Sequence, residues 1–173
     1  IVLRETDSLV LVGSGLDTVN GSIDVKLAGR EALLTLAEGV ISTRSSGGAI
    51  AIVADDIDFA SGADKVRGTG ALALRANAVA QNYRIGGAAQ SDFGRDYSAV
   101  GGTGFLELSM TDLSALQDGF SQIVIGHQNA GTTTMWIGDV QDEQVGSFTF
   151  SARLNDAATF LADDYKIVGE VAS

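Results

Sequence analysis

Gly48-Ala49-Ile50-Ala51-Ile52-Val53-Ala54-Asp55 is echoed 22 residues later by Gly70-Ala71-Leu72-Ala73-Leu74-Arg75-Ala76-Asn77. Both stretches open on glycine, alternate a branched apolar side chain with alanine, and close on Asp or Asn. Period-two alternation marks a strand with one buried face. Its return in a second stretch points to two strands in equivalent places. The same alternation runs through Leu34-Thr35-Leu36, Leu106-Glu107-Leu108, Ile123-Val124-Ile125, Phe148-Thr149-Phe150 and Tyr165-Lys166-Ile167. Gly, Ser, Asn or Asp separates nearly all of these short runs, as expected of turns.

The spacing between matching runs is uneven. Gly68-Thr69-Gly70-x-Leu72-x-Leu74 returns 34 residues later as Gly102-Thr103-Gly104-x-Leu106-x-Leu108, and Leu34-x-Leu36 precedes Ile50-x-Ile52 by 16. A strict short-period array is thereby excluded. A parallel β-helix tolerates this pattern, because corner loops project outward and vary in length without disturbing the stack. Gly13, Gly15, Gly21, Gly47, Gly48, Gly62, Gly86 and Gly87 are the expected corners, where positive φ is needed. Thr111 to Gly119 reads as a short helix, with Thr111 as N-cap, Leu113 and Leu116 on one face and Gly119 as the stop. Residues 77–102 are the least patterned and are expected to leave the stack as an irregular excursion.

Composition agrees with thin, closely packed layers. Of 173 residues, 45% are hydrophobic but only 6% aromatic, so the core is built from Ala, Val, Ile and Leu. Average usage of about 5% would put several prolines in such a chain, yet there are none. That suits strands paired on both edges, since proline removes a ladder donor. Cysteine is absent too, which excludes disulfides, thiol catalysis and Cys-ligated metals. The net charge of −11, with no basic cluster, argues against nucleic acid and anionic lipid as partners. No apolar run of about 18 residues exists to cross a bilayer as a helix. The chain starts at Ile1 and is expected to be a processed product or one part of something longer.

The series Leu33-Leu34-Thr35-Leu36, Gly48 to Phe59 and Gly68 to Leu74 resembles repeats of filamentous-haemagglutinin-like adhesins, many of them two-partner-secretion substrates. So does Leu113-Ser114-Ala115-Leu116-Gln117-Asp118-Gly119-Phe120-Ser121-Gln122-Ile123-Val124-Ile125-Gly126, followed by Thr133-Thr134-Met135-Trp136-Ile137-Gly138. The resemblance covers about residues 30–160. It implies a right-handed parallel β-helix, export to the bacterial cell surface and an adhesive or scaffolding role, with no catalytic residues to carry over. The secretion-directing N-terminal domain of such proteins is not evident.

Few residues suggest chemistry. His127 is the only histidine, so it cannot build a multi-histidine metal site, and no Gly-x-Ser-x-Gly elbow accompanies it. Acidic clusters occur at Asp55, Asp56 and Asp58, at Asp139, Asp142 and Glu143, and at Asp163 and Asp164. They read as a solvated acidic face, with weak surface calcium binding or the paired acids of a polysaccharide-cleaving β-helix as alternatives. Asn20-Gly21-Ser22 fits a glycosylation sequon and a type I′ turn, and is read as a turn. In Met135-Trp136-Ile137 the tryptophan alternates out of phase with its neighbours, so it faces outward if they face the core. There it marks a lateral protein contact, a carbohydrate surface, or a ring covered by a neighbouring loop.

These readings converge on an all-β, right-handed parallel β-helix spanning residues 1–173 as a single segment. The expected role is a non-enzymatic extracellular structural or adhesive module without catalytic, cofactor or metal site. Its expected partners are neighbouring repeats or copies of itself, and a surface carbohydrate or receptor. A self-assembling filament subunit and a carbohydrate-active enzyme are the alternatives.

Overall fold

A computed structural model describes residues 1–44, 47–59, 62–86, 105–128, 133–138 and 154–167. The first pass of the chain lays down β1 (Val2–Glu5), β2 (Leu9–Leu11) and β3 (Leu16–Thr18). The second adds β4 (Ile23–Leu27), β5 (Leu33–Leu36) and β6 (Ile41–Thr43), and the third adds β7 (Ile50–Ala54), β8 (Asp56–Asp58) and β9 (Val66–Arg67). Then come β10 (Ala71–Ala76), β11 (Asn82–Ile85), β12 (Phe105–Leu108) and one short helix, α1 (Met110–Ser114). The last strands are β13 (Gln122–Gly126), β14 (Thr134–Ile137), β15 (Ala158–Leu161) and β16 (Asp164–Ile167).

Among the described residues the strands form four sheets, ordered β1-β4-β7-β10-β13-β15, β2-β5-β8, β3-β6-β9 and β12-β11-β14-β16. All strand pairing among them is parallel. The chain is therefore mostly β, built from parallel sheets. In three of the sheets each pass adds its strand beside the one before, so chain order and spatial order coincide.

Register turns the alternation into columns. Ile23, Ile50, Leu72 and Ile123 are aligned across four strands of the largest sheet, and Val25, Ile52, Leu74 and Ile125 form the next column. All eight are essentially inaccessible. A side chain here touches its counterparts above and below, which is why small and β-branched residues fill the interior. Six of the seven alternating runs become strands, in β5, β7, β10, β12, β13 and β16; Phe148-Thr149-Phe150 lies outside the described residues.

Glycine works in two ways. Gly13, Gly15, Gly47, Gly62 and Gly86 hold positive φ as expected, but Gly21 and Gly48 do not; Gly87 lies outside the described residues. At Gly48 a Cβ would sit 2.5 Å from Gly21 O, and at Gly70 it would sit 2.3 Å from Gly48 O. These glycines let consecutive corners touch backbone to backbone. Gly70→Ala should therefore lower stability by about 2 kcal/mol or more, through forced backbone shifts. Gly13→Ala, whose Cβ would meet nothing within 4 Å, should cost only the strain of φ +59°, about 1 kcal/mol. Urea midpoints of the two variants check the contrast. The Asn20-Gly21 step is a bend and not a type I′ turn, because neither residue has positive φ.

Two further expectations need correction. The helix begins at Met110 and ends at Ser114, with Ser109 and not Thr111 as N-cap. The Ser109 hydroxyl and the Asp112 carboxylate form a reciprocal capping box, and that pairing outcompetes a cap at Thr111. Gly119 (φ +122°) belongs to a later turn. The excursion expected near residues 77–102 does not start at Asn77. Asn82–Ile85 is strand β11, and Tyr83 is completely buried. Residues 87–102 lie outside the described residues.

Candidate functional site

The outer side of β12, β11, β14 and β16 carries a group of charged and aromatic residues. In β12, β11, β14 and β16 register aligns Glu107, Arg84, Trp136 and Lys166 in one column. Leu106, Tyr83 and Met135 form the buried column behind them. Met135 faces the core and Trp136 faces outward, as the alternation requires. The tryptophan is only partly exposed. Its ring meets Phe105 edge to face at 5.1 Å, and Lys166 Nζ lies 5.1 Å from its centroid. The Arg84 guanidinium stacks 4.0 Å from the Phe105 ring. Arg84 Nε is buried and meets no acceptor among the described residues, and the Phe105 ring covers one face of the guanidinium.

Carboxylates line the wall beneath. No backbone ladder joins β8 to β12. Instead the Asp56 carboxylate accepts the Glu107 N–H at 3.2 Å and its own neighbour's, Ile57, at 2.9 Å. One residue beyond β8, Phe59 N–H donates to Asp112 at 2.6 Å. Asp112 also accepts from the Ser109 N–H (2.8 Å) and hydroxyl (2.5 Å). Two acids thus fasten an inserted strand and its helix to the preceding pass. Burial pushes Asp56 up to about 7, against the pull of its two N–H donors. Burial also raises Asp112 and Glu107, Arg84 opposing it at Glu107.

The pH dependence follows. Asp56 binds its proton more tightly folded than unfolded, so it favours folding at low pH. This contribution declines as pH rises from about 4 to about 7. At about 1.4 kcal/mol per pH unit the loss is on the order of 2–4 kcal/mol. The urea midpoint should fall between pH 4.5 and 7.5, and Asp56→Asn should flatten much of that slope. A midpoint that rises over this interval contradicts the assignment.

Asp55, Asp56 and Asp58 do not form one cluster. Asp55 turns into a corner, where it accepts the Glu31 N–H at 2.7 Å and burial raises its pKa. Its own N–H and that of Asp56 donate to Ala32 O. The corner recurs at Ala162-Asp163-Asp164. There Asp163 accepts from the Thr133 N–H (3.0 Å) and hydroxyl (2.7 Å), while the N–H groups of Asp163 and Asp164 donate to Thr133 O. Asp164 lies on exposed β16, and Asp139, Asp142 and Glu143 lie outside the described residues. Among the described residues no group of three or more His, Asp or Glu could hold a metal ion. His127 packs against Tyr83 and Val79.

The sequence reading missed Arg84, Phe105, Glu107 and Asp112 as members of one wall. Ser109-x-x-Asp112 is the one local signal that could have marked Asp112. Among the described residues, no helix is long and apolar enough to cross a membrane. Comparison with protein-family models, with curated proteins and with solved structures finds no match for this chain.

Proposed function

We propose that this chain is a length of right-handed parallel β-helix serving as a passive structural or adhesive module of a large exported bacterial surface protein. The observation that carries this reading is the strand order β1-β4-β7-β10-β13-β15, in which successive passes stack in chain order with aligned apolar columns. Right-handedness follows from the strong preference of parallel crossovers for that hand. Each added pass extends the body by roughly 4.8 Å, so length comes from repetition while the outer walls stay free to vary. The wall carrying the partly exposed Trp136 and the exposed Lys166 is the surface best suited to a carbohydrate or receptor, through a ring and a cation. Asp56 and Asp112 beside it are engaged with backbone N–H groups, which speaks for scaffolding over hydrolysis.

A second reading, a self-assembling filament subunit, draws on the position of the exposed apolar residues. Ile1, Val2, Val10, Val12 and Val19 belong to the first pass and Tyr165 and Ile167 to the last described strand, with Val79 in the β10–β11 corner as the exception. Electron microscopy of purified protein, with and without a calcium chelator, separates the readings. Isolated thin rods unchanged by chelator support a module. Fibres with a regular axial repeat support the subunit. Globular particles overturn both.

A further inference from the structure

Asn20-Gly21-Ser22 lies between β3 and β4, where the first pass becomes the second. Asn20 is exposed, and the step is a bend outside any strand. Among the described residues no hydrogen bond holds the Asn20 amide or the Gly21 N–H. Asn77 and Asn82, by contrast, are held. The Asn77 amide donates to Ala28 O at 3.3 Å, and the buried Asn82 accepts the Thr134 N–H at 2.8 Å. Each of these two is also followed by a residue with a side chain, Ala78 and Tyr83, which crowds the next nitrogen.

An asparagine left unheld in front of glycine is chemically labile. The reaction needs no reagent except water. The Gly21 nitrogen gives up its hydrogen and bonds to Asn20 Cγ. The Cγ–Nδ2 bond breaks and ammonia leaves, which closes a five-membered succinimide. Water then opens the ring. Cleavage between the Gly21 nitrogen and Cγ gives aspartate. Cleavage between that nitrogen and the main-chain carbonyl carbon of residue 20 gives isoaspartate, whose backbone runs through Cγ and is one methylene longer. Glycine favours closure, because no side chain shields its nitrogen and its backbone turns freely toward Cγ.

We propose that Asn20 is a site of spontaneous covalent modification, and that its isoaspartyl product unseats the corner joining the first two passes. The corner nests closely on the third pass. A Cβ on Gly48 would sit 2.5 Å from Gly21 O, and Ser22 Oγ accepts the Ala49 N–H at 3.1 Å. An extra methylene just before Gly21 shifts both residues out of that seat. An aspartate at the same place adds only a charge at an exposed position.

The full chain is incubated warm at pH 7.5, either folded or unfolded in guanidinium chloride. Its peptides are then mapped by mass spectrometry, with electron-based fragmentation to tell isoaspartate from aspartate. In the folded protein Asn20 should convert within about tenfold of the unfolded rate, since exposed corners open at little cost. It should also convert ahead of Asn77, Asn82 and Asn155. An Asn20 that stays an amide in the folded chain, or that converts no faster than the other three, overturns the site. Gly21→Ala tests the route. Its Cβ would meet only Thr18 Oγ1, at 3.6 Å, and Gly21 does not hold positive φ, so the variant should fold. Conversion should slow by about tenfold or more, and an unchanged rate means direct hydrolysis and overturns the ring. The isoaspartyl protein should unfold at lower urea than Asn20→Asp, which carries the charge without the longer backbone. Equal midpoints overturn the unseating.

Discussion

Replacing Leu74 by alanine should cost about 3–5 kcal/mol, near the upper end of the range for buried leucines. Leu74 is fully inaccessible and lies in register between Ile52 of the pass before and Ile125 of the pass after. A cavity there removes contacts on both sides at once. The flanking backbones are held by parallel ladders and cannot collapse to fill it. The matching control is Val2→Ala, at a side chain 72% exposed on the edge strand, which should change stability by no more than about 0.5 kcal/mol. Urea denaturation followed by far-UV circular dichroism measures both. A cost below about 1 kcal/mol at Leu74 would mean that the columns are loosely filled and that the passes are held by their ladders alone.

The second large effect is expected at Asp112. Alanine there leaves the Phe59 and Ser109 N–H groups without their acceptor and dismantles the capping box of α1. Loss of a cap together with a buried orphaned donor should amount to about 2–4 kcal/mol. Asparagine keeps the shape and one acceptor oxygen, so Asp112→Asn should fall between the wild type and alanine. Because burial raises the pKa of Asp112, the carboxylate itself is held against a desolvation cost. Part of the loss in Asp112→Asn is therefore offset at neutral pH. Hydrogen exchange locates the damage, with protection falling at Phe59 and in β12 before it falls in β4 or β7. Unchanged exchange at Phe59 would show that Asp112 does not tie the helix to the third pass.

Local pattern told inside from outside in most of the alternating runs, but not in Tyr165-Lys166-Ile167, where every residue of β16 is exposed. Ile50 and Ile52, Leu72 and Leu74, and Ile123 and Ile125 face the core, because a strand offers only two sides and alternation chooses between them. The 22-residue echo that opens the sequence is a true stacking pair, with Leu72 beside Ile50 and Leu74 beside Ile52. The outward turn of Trp136 was legible for the same reason. The other two echoes are not stacking pairs. Leu34 and Leu36 belong to the sheet of β2, β5 and β8, away from Ile50 and Ile52, and Leu106 and Leu108 lie beside Tyr83 and Ile85. Every inward face of such a molecule asks for the same small branched side chains. Likeness between two runs therefore says that both are buried strands, and does not say which sheet either one joins.

Sheet membership and strand order were decided by the tertiary structure. So was the wall on which Arg84, Phe105, Glu107 and Trp136 meet, since it draws on three strands spread over more than fifty residues. The split of Asp55 from Asp56 shows the same division within one dipeptide. Both are acids in a run that reads as a solvated face, yet Asp55 accepts an N–H from the pass before, while Asp56 accepts one from a strand that arrives some fifty residues later. By itself the sequence determined the alternating strands β5, β7, β10, β12 and β13 and their buried faces, because these depend on neighbours one or two residues away. Only the tertiary structure decided which carboxylates are buried and what they hold, because burial depends on chain that returns from far along the sequence.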